Sequence, residues 1–487
     1  MISKFVCEQK RYSQENLRDI FNCTAEKAVA IIKKLKEYSV LKVVKATDEQ
    51  KDMSDLIDED IEVVDVQIGE SEYLYVFTFV GVITVAGCIL KCYPKYISND
   101  APKTELRQIL KVLEKYNSRE QIIQMYNDGE ESSAFNLLAV IIYMLNDYYE
   151  NGVYTNTQEI IEENGTGEIL WDKTISETFT LLSNNRPYYT VLLTKRKVMD
   201  DFDYFKRLHE CILSLFTEEL KKADLLDLFD IMPVELSDEG LDDFGDTEYI
   251  RYRIENELNV QFNTRKQLVL KVIYAYMNQS NSLSSVDGFS MFGTNSFNLV
   301  WEKVCAEVMN NQLRNTLGSL KLPIDLHSNY RTTDTLISII EKPTWLGTKT
   351  DGSVFDKMAK DTLVPDIISM HMRDGVCDFI IFDAKYYMIQ LEHDKELRGH
   401  PGISDIIKQY LYQLAYKKFI ELHHISEVKN CFLMPTEKKH IIDKGYASMK
   451  MLDCLGLGHI QIRQLPASEM YERYLNGDKM DISKLNL

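Results

Sequence analysis

Asp366, Asp383 and Lys385 are the residues whose types and spacing best suit chemistry; they lie in the stretch 363–387, LVPDIISMHMRDGVCDFIIFDAKYY. On a strand, period-two alternation puts Phe379, Ile381, Asp383 and Lys385 on one face and Ile380, Phe382 and Ala384 on the other. Both faces begin apolar, as in a strand buried on two sides, and one then changes to a carboxylate and an amine. A buried carboxylate without a partner is costly, so the pair calls for a cation, a lysine or both. Pro365-Asp366 opens a preceding apolar run, at a position where proline is tolerated. If the two runs are neighbours joined by a turn at 373–375, Asp366 lies close to Asp383. Two carboxylates and a lysine at one sheet edge make a hard-cation site suited to Mg2+, with Mn2+ as a substitute. Such an ion activates water and neutralises charge on a phosphate, so the chemistry indicated is phosphodiester hydrolysis.

The elements that must position these residues can be read on either side of them. Residues 402–416 read as a helix capped by Ser404, with Ile406, Ile407, Tyr410, Leu411 and Leu414 as its packed side. Asp405, Gln409, Gln413 and Tyr416 recur at helical spacing on another side, which is either a solvated face or one that turns Gln409, Gln413 and Tyr416 to the metal site or a DNA backbone. Residues 428–435 supply a further buried strand, and 297–313 an upstream helix carrying Glu302. Glu302 is either an extra metal carboxylate or an exposed helix glutamate. The pattern Pro-Asp, sixteen intervening residues, then Asp-x-Lys resembles the PD-(D/E)xK motif of restriction-like nucleases. The Gln-x-x-x-Gln-x-x-Tyr face resembles the Gln-x-x-Tyr variants of RecB-like nucleases. This resemblance implies an α-β-β-β-α-β core, with its earliest strand at 335–341.

At 487 residues the chain is too long for one ordinary core, so two or three domains are expected. A 45% hydrophobic and 27% charged composition is that of a soluble globular protein. Nine cysteines occur without a Cys-x-x-Cys pair, which argues against a zinc site, and free thiols without a signal peptide indicate a cytoplasmic location. The apolar stretch 137–145 is too short to span a bilayer, so no membrane role is expected. A net charge of −19 opposes general nucleic-acid binding, but a local basic surface can dominate.

The first 46 residues carry ten Lys/Arg against five Asp/Glu, with helices expected at 13–21 and 24–38 and a strand at 40–45. Lys27, Lys33, Lys34 and Lys36 point away from the apolar stripe of the second helix. The arrangement resembles a winged helix with those lysines on DNA, or it is a small helical module for protein contact. Residues 47–72 turn acidic and mark a linker. Residues 72–96, rich in β-branched and aromatic types, read as a small antiparallel sheet, followed by helices at 103–116 and 133–149. Residues 186–197 read as one strand with a basic end. The glycine-rich stretch 164–174 lacks the Gly-Lys-Ser/Thr ending of a phosphate loop, so nucleotide hydrolysis is expected from a partner. The organisation expected is a multidomain α+β chain: a winged-helix-like module and acidic linker at 1–62, a mixed β/α docking region at 63–258, and a nuclease domain at 259–487.

Several phrases together resemble the LlaJI-type restriction endonuclease family, which is related to McrC. They are residues 81–96 ending in Tyr-Pro-Lys-Tyr, 167–174 (GEILWDKT), 292–302 (FGTNSFNLVWE), 363–366 (LVPD), 382–385 (FDAK) and 405–412 (DIIKQYLY). The resemblance implies a type II or type IV-like restriction endonuclease of an anti-phage defence system, with a C-terminal restriction-endonuclease-like core behind an McrC-like region. It also implies duplex DNA as substrate, an McrB-like AAA+ partner that binds nucleotide, and a cognate DNA methyltransferase. Carried over by residue, Asp366 and Asp383 would ligate Mg2+ with the Ala384 carbonyl and Glu302, while Lys385 orients or deprotonates water and Gln409 assists. A base role for Lys385 requires a lowered amine pKa. The alternative is a non-catalytic regulatory or DNA-scaffolding subunit built on a nuclease fold.

Overall fold

The computed structural model describes residues 2–45, 73–117, 136–199, 203–278, 282, 283, 285, 288–373 and 376–487. The architecture is mixed α+β with several sheets, and two compact units are distinguished. One comprises 84–87 and 128–290; the other comprises 2–83, 88–127 and 291–487. This grouping differs from the three consecutive segments expected at 1–62, 63–258 and 259–487, because early strands pair with later ones. The acidic stretch 47–72 lies outside the described residues.

In the first unit, helices Leu137–Asn151, Tyr204–Lys222, Thr247–Val260 and Thr264–Met277 accompany a three-stranded sheet of Thr157–Glu163, Leu193–Met199 and Glu168–Ile169. The stretch 186–197 is two strands, not one. Arg186–Tyr189 folds back on Thr180–Ser183 as a hairpin, and the left-handed residues Asn184 and Asn185 make the turn between them. Asp147, 3% exposed, receives Arg265 bidentately at 3.0 and 2.8 Å, so its buried charge is fully answered.

The second unit begins with Ile2–Cys7, which pairs in parallel with Cys88–Tyr93; these join Val80–Val85 and Phe289–Thr294 in a four-stranded sheet. The segment expected as one antiparallel sheet at 72–96 is therefore divided. Tyr73–Phe77 instead pairs with Arg11–Tyr12 and Leu41–Lys45. Gly81 and Gly293, at φ +141 and +155, let two strands of the four-stranded sheet approach so closely that a Cβ on either would overlap the other's backbone. Helices Gln14–Phe21 and Ala25–Glu37 bury Leu17, Phe21, Ala28, Ile31, Ile32 and Leu35, as their apolar periodicity requires.

The site is carried by a five-stranded sheet in the order Ile367–Arg373, Val376–Ala384, Glu427–Thr436, Ile460–Pro466, Ile442–Ala447. The first pair is antiparallel, and the next two pairings are parallel. Helix Ile403–Leu422 forms the crossover between the parallel strands Val376–Ala384 and Glu427–Thr436, the connection parallel pairing requires. Its buried side runs Asp405, Gln409, Tyr412, Tyr416, Phe419, a regular helical stripe packed with Phe379 and Ile381. Of the expected packed side, Tyr410 is buried and Ile406 packs beside it, but Ile407 and Leu411 are exposed, and the N-cap is Gly402 rather than Ser404. The strand expected at 335–341 is instead a single helical turn, Leu336–Ile339, whose Leu336 carbonyl accepts the Tyr416 hydroxyl at 3.0 Å.

Candidate active site

The pairing of Ile367 with Phe382 sets the geometry. One further step along this antiparallel register brings Asp366 opposite Asp383, on the strand face shared with Phe379 and Ile381. The Ala384 N–H donates to Asp366 Oδ2 at 3.1 Å, fixing the Asp366 carboxylate at the end of the neighbouring strand. Asn311, just after helix Phe297–Val308, holds the same strand from outside. Its amide donates to the Asp366 carbonyl at 2.9 Å and its Oδ1 accepts the Ile368 N–H at 3.1 Å.

Lys385 emerges beyond the last paired residues, and its side chain is 20% exposed. Its ammonium sits 2.8 Å from Asp405 Oδ1 and 3.3 Å from Asp383 Oδ1. The longer contact is an ion pair rather than an aligned hydrogen bond, and Asp383 Oδ1 is buried with no hydrogen-bond partner among the described residues. Burial alone lowers the Lys385 amine pKa, but Asp383, Asp405 and Asp366 outweigh it and raise the value above that of an ordinary lysine. This is opposite to the shift a lysine base needs, so with these carboxylates unneutralised Lys385 is a fixed cation.

The carboxylates show the converse strain. Burial first, then the charges of Asp383 and Glu302, push Asp366 far above the usual carboxylate range, with Lys385 only partly compensating. Glu302 is raised by burial and by Asp383, again against Lys385. A cluster with more carboxylates than cations, two of them with raised pKa values, is what a site for a positive ligand looks like without that ligand.

The residues fit a hard divalent ion on this ground. Asp383 presents a buried oxygen approached only by the Lys385 ammonium at 3.3 Å and by no hydrogen bond among the described residues, Asp366 lies opposite it, the Ala384 backbone is between them and Glu302 is within electrostatic reach. Mg2+ needs only one or two carboxylates and completes its shell with water. Among the described residues no three His, Cys, Asp or Glu side chains are already gathered at ligand distances. Lys385 supplies the neutralising charge in this state.

The remaining sequence candidates are placed differently. Gln409 is fully buried beneath Asp405 on the same helix, and neither atom of its amide has a hydrogen-bond partner among the described residues. Gln413 is turned inward, accepting the Asn430 amide at 2.8 Å, and Tyr416 is sealed in the core. Neither is therefore on a DNA-facing surface, because the helix stripe they belong to is the one that packs. Lys27 and Lys33 are exposed on helix Ala25–Glu37, and Lys34 is half-buried there.

Asp405 was visible only as a helix-face residue, yet it makes the shortest contact to Lys385; its signal was a carboxylate four residues before Gln409 on an otherwise packed stripe. Tyr412 donates to the Val364 carbonyl at 3.0 Å and was read only as part of a motif phrase. Tyr386, next to Lys385, is anchored by a third element. Its hydroxyl donates to Glu8 Oε2 at 2.5 Å, and the same oxygen accepts the Lys95 N–H at 3.3 Å. Burial raises the Glu8 pKa.

Comparison with known proteins covers most of the chain. A model of the LlaJI restriction endonuclease family matches residues 79–463. The Type II restriction enzyme BsuMI component YdjA of Bacillus subtilis (strain 168) is 27% identical over 410 residues, covering 82% of this chain and 81% of that protein. Among solved structures, McrC bound to McrB AAA+ hexamers of Thermococcus gammatolerans aligns at 12% identity with a TM-score of 0.36, over 97% of this chain and 99% of that one. A second Thermococcus gammatolerans McrBC complex aligns at 14% identity with a TM-score of 0.24, over 62% and 85% of the respective chains. Among the described residues, no helix is long and apolar enough to cross a membrane.

Proposed function

We propose, from the premise that this chain belongs to the LlaJI restriction endonuclease family, that it is the Mg2+-dependent DNA endonuclease subunit of a cytoplasmic anti-phage restriction system. The observation that carries this reading is the meeting of Asp366, Asp383, Lys385 and Asp405 at the end of strand Val376–Ala384, with more buried negative charge than one lysine answers. The five-stranded sheet and its crossover helix support a PD-(D/E)xK nuclease core. The N-terminal helices are read as a winged helix with Lys27, Lys33 and Lys34 towards DNA.

When bound, the divalent ion lowers the pKa of water and offsets charge on the phosphate. Asp366 and Asp383 would hold it with the Ala384 carbonyl, and Glu302 would supply further negative charge. Lys385, aimed by Asp405, would stabilise the phosphorane-like transition state as the water oxygen bonds to phosphorus, the P–O ester bond breaks and the water's proton passes through solvent to the leaving oxygen. Asp405 acts through Lys385 and is a positioning residue. The McrB-like AAA+ partner binds and hydrolyses nucleotide, residues 63–258 dock it, and a cognate methyltransferase protects host sites.

The test is cleavage of supercoiled and linear duplex DNA with Mg2+ or Mn2+, with and without the neighbouring AAA+ protein and its nucleotide. Wild type is expected to cut and Asp383→Ala to lose about 10^3-fold or more, since the ion contributes several kcal/mol to the transition state. If wild type fails to cut under every condition while the partner is active, the chain is a non-catalytic scaffold.

A further inference from the structure

Between the helical turn Leu336–Ile339 and Asp366 the chain leaves the core as a two-stranded antiparallel ribbon, Thr344–Thr348 against Val354–Met358. A hairpin standing in water is expected to be polar on both faces, because exposed apolar area gains nothing there. This one is not: Trp345 is 71% exposed, Leu346 77% and Val354 67%. The register sets Trp345 opposite Lys357 and Gly347 opposite Phe355, so these four share one face. The Phe355 ring lies across Gly347, where a Cβ would stand 2.5 Å from it, and the Lys357 ammonium is 5.9 Å from the centre of that ring. The face thus alternates aromatic, cation, aromatic.

Charge, shape and place point to one occupant. Residues 342–360 carry four lysines against two aspartates, in a chain of net charge −19. One of those aspartates, Asp351, accepts both the N–H and the hydroxyl of Ser353 and is absorbed in the turn. Five-residue strands extend about 17 Å, and a two-stranded ribbon is an element that the major groove of B-DNA, about 12 Å wide, admits. The foot of the ribbon is fixed beside the site. The Ala359 N–H donates to the Pro343 carbonyl at 2.8 Å, Thr362 Oγ1 to the Glu341 carbonyl at 2.7 Å, and Tyr412 to Val364, two residues before Asp366.

We propose that this ribbon enters the major groove of duplex DNA beside the scissile phosphate, with Trp345 against the base edges and Lys357 on the backbone. The substrate class rests on the nuclease reading above. In the full-length chain carrying Asp383→Ala, so that binding is seen without cutting, affinity for a fluorescein-labelled mixed-sequence duplex is measured by anisotropy across a salt series. Trp345→Ala with Lys357→Ala is expected to weaken binding roughly tenfold or more. Lys357→Ala alone lowers the salt dependence by about one unit of slope. Both side chains are exposed, so the melting temperature stays that of the parent. In a Trp171→Phe background, where the only other tryptophan is the buried Trp301, duplex DNA quenches Trp345 emission.

Unchanged affinity and unquenched emission overturn the proposal, as does a parent that fails to bind duplex even at low salt. Loss of association with the AAA+ protein while DNA affinity is intact assigns the ribbon to a protein partner and also overturns it. The two readings separate cleanly. Cutting by wild type with ribbon-independent binding removes the ribbon alone. Ribbon-dependent binding without any cutting removes the nuclease reading alone.

Discussion

Two buried acid–base clusters, one in each unit, are built from similar residues with opposite outcomes. At Asp147 one carboxylate meets one guanidinium; Arg265 takes it bidentately, and Asn151 donates to its other oxygen at 3.0 Å. At Asp383 one ammonium is shared with Asp405, a buried oxygen is left without a hydrogen bond, and Asp366 and Glu302 add carboxyl groups whose pKa values rise. A buried pair that balances contributes to one folded arrangement. A buried cluster that does not balance stores a preference for a cation, and that preference is the chemical content of the site.

The contrast is broken most strongly at Arg265. Arg265→Ala leaves Asp147 buried and unanswered, and is expected to cost about 3–5 kcal/mol in denaturant-induced unfolding. Metal binding at Asp383 should be unaffected wherever the variant remains folded. A cost below about 1 kcal/mol would mean that Asp147 is reached by water and the pair is no better than a surface one.

Asp405→Asn sharpens the other side of the comparison. It removes one negative charge from an overloaded cluster, so stability should hold or rise slightly, while DNA cutting falls about tenfold as Lys385 loses its aim. The fall should be in kcat rather than KM, and Asp405→Glu should restore part of it. A loss of stability equal to that at Arg265 would show that the two clusters are alike after all.

How much of this was legible in the sequence follows from the range of the interactions involved. The meeting of Asp366 and Asp383 is a matter of strand alternation and of pairing between strands close in the chain, and both are local; the turn expected at 373–375 falls largely outside the described residues. The helix after them was also legible as a helix, but its inward face was misassigned. Hydropathy favours Ile407 and Leu411 as core residues, whereas the buried stripe is headed by Asp405 and Gln409 because it meets Lys385. The parallel pairing of Ile2–Cys7 with Cys88–Tyr93 has no local signature, since both strands are apolar and more than eighty residues apart in the chain. The single turn at Leu336–Ile339 carries β-branched residues that read as strand, and its conformation is set by Leu313 and Tyr416 from outside. Asp405, Glu8 and Asn311 escaped notice as site residues for the same reason. Each acts on a neighbour distant in sequence, and an isolated polar residue does not announce its partner.

The smallest expected effect lies in the pH dependence of Asp366, and it separates a waiting cation site from a settled ion pair. Its folded pKa is raised, mainly by burial and by Asp383, above the value near 3.9 of an unfolded aspartate. Between those two values the folded protein binds more protons than the unfolded chain. The metal-free protein is therefore fully stabilised by this group below about pH 4 and loses that contribution as pH rises through the folded value. The slope cannot exceed about 1.4 kcal/mol per pH unit. Asp366→Asn abolishes it, so the variant should match wild type near pH 4 and be the more stable of the two at pH 8 when no divalent ion is added. Mg2+ should reverse the order at pH 8 by favouring the ionised carboxylate, releasing a proton as it binds. Thermal melting of both proteins at the two pH values, with and without Mg2+, reads all of this. Parallel pH profiles in the absence of metal would show that Asp366 carries no raised pKa, and the distinction between the two clusters would fall.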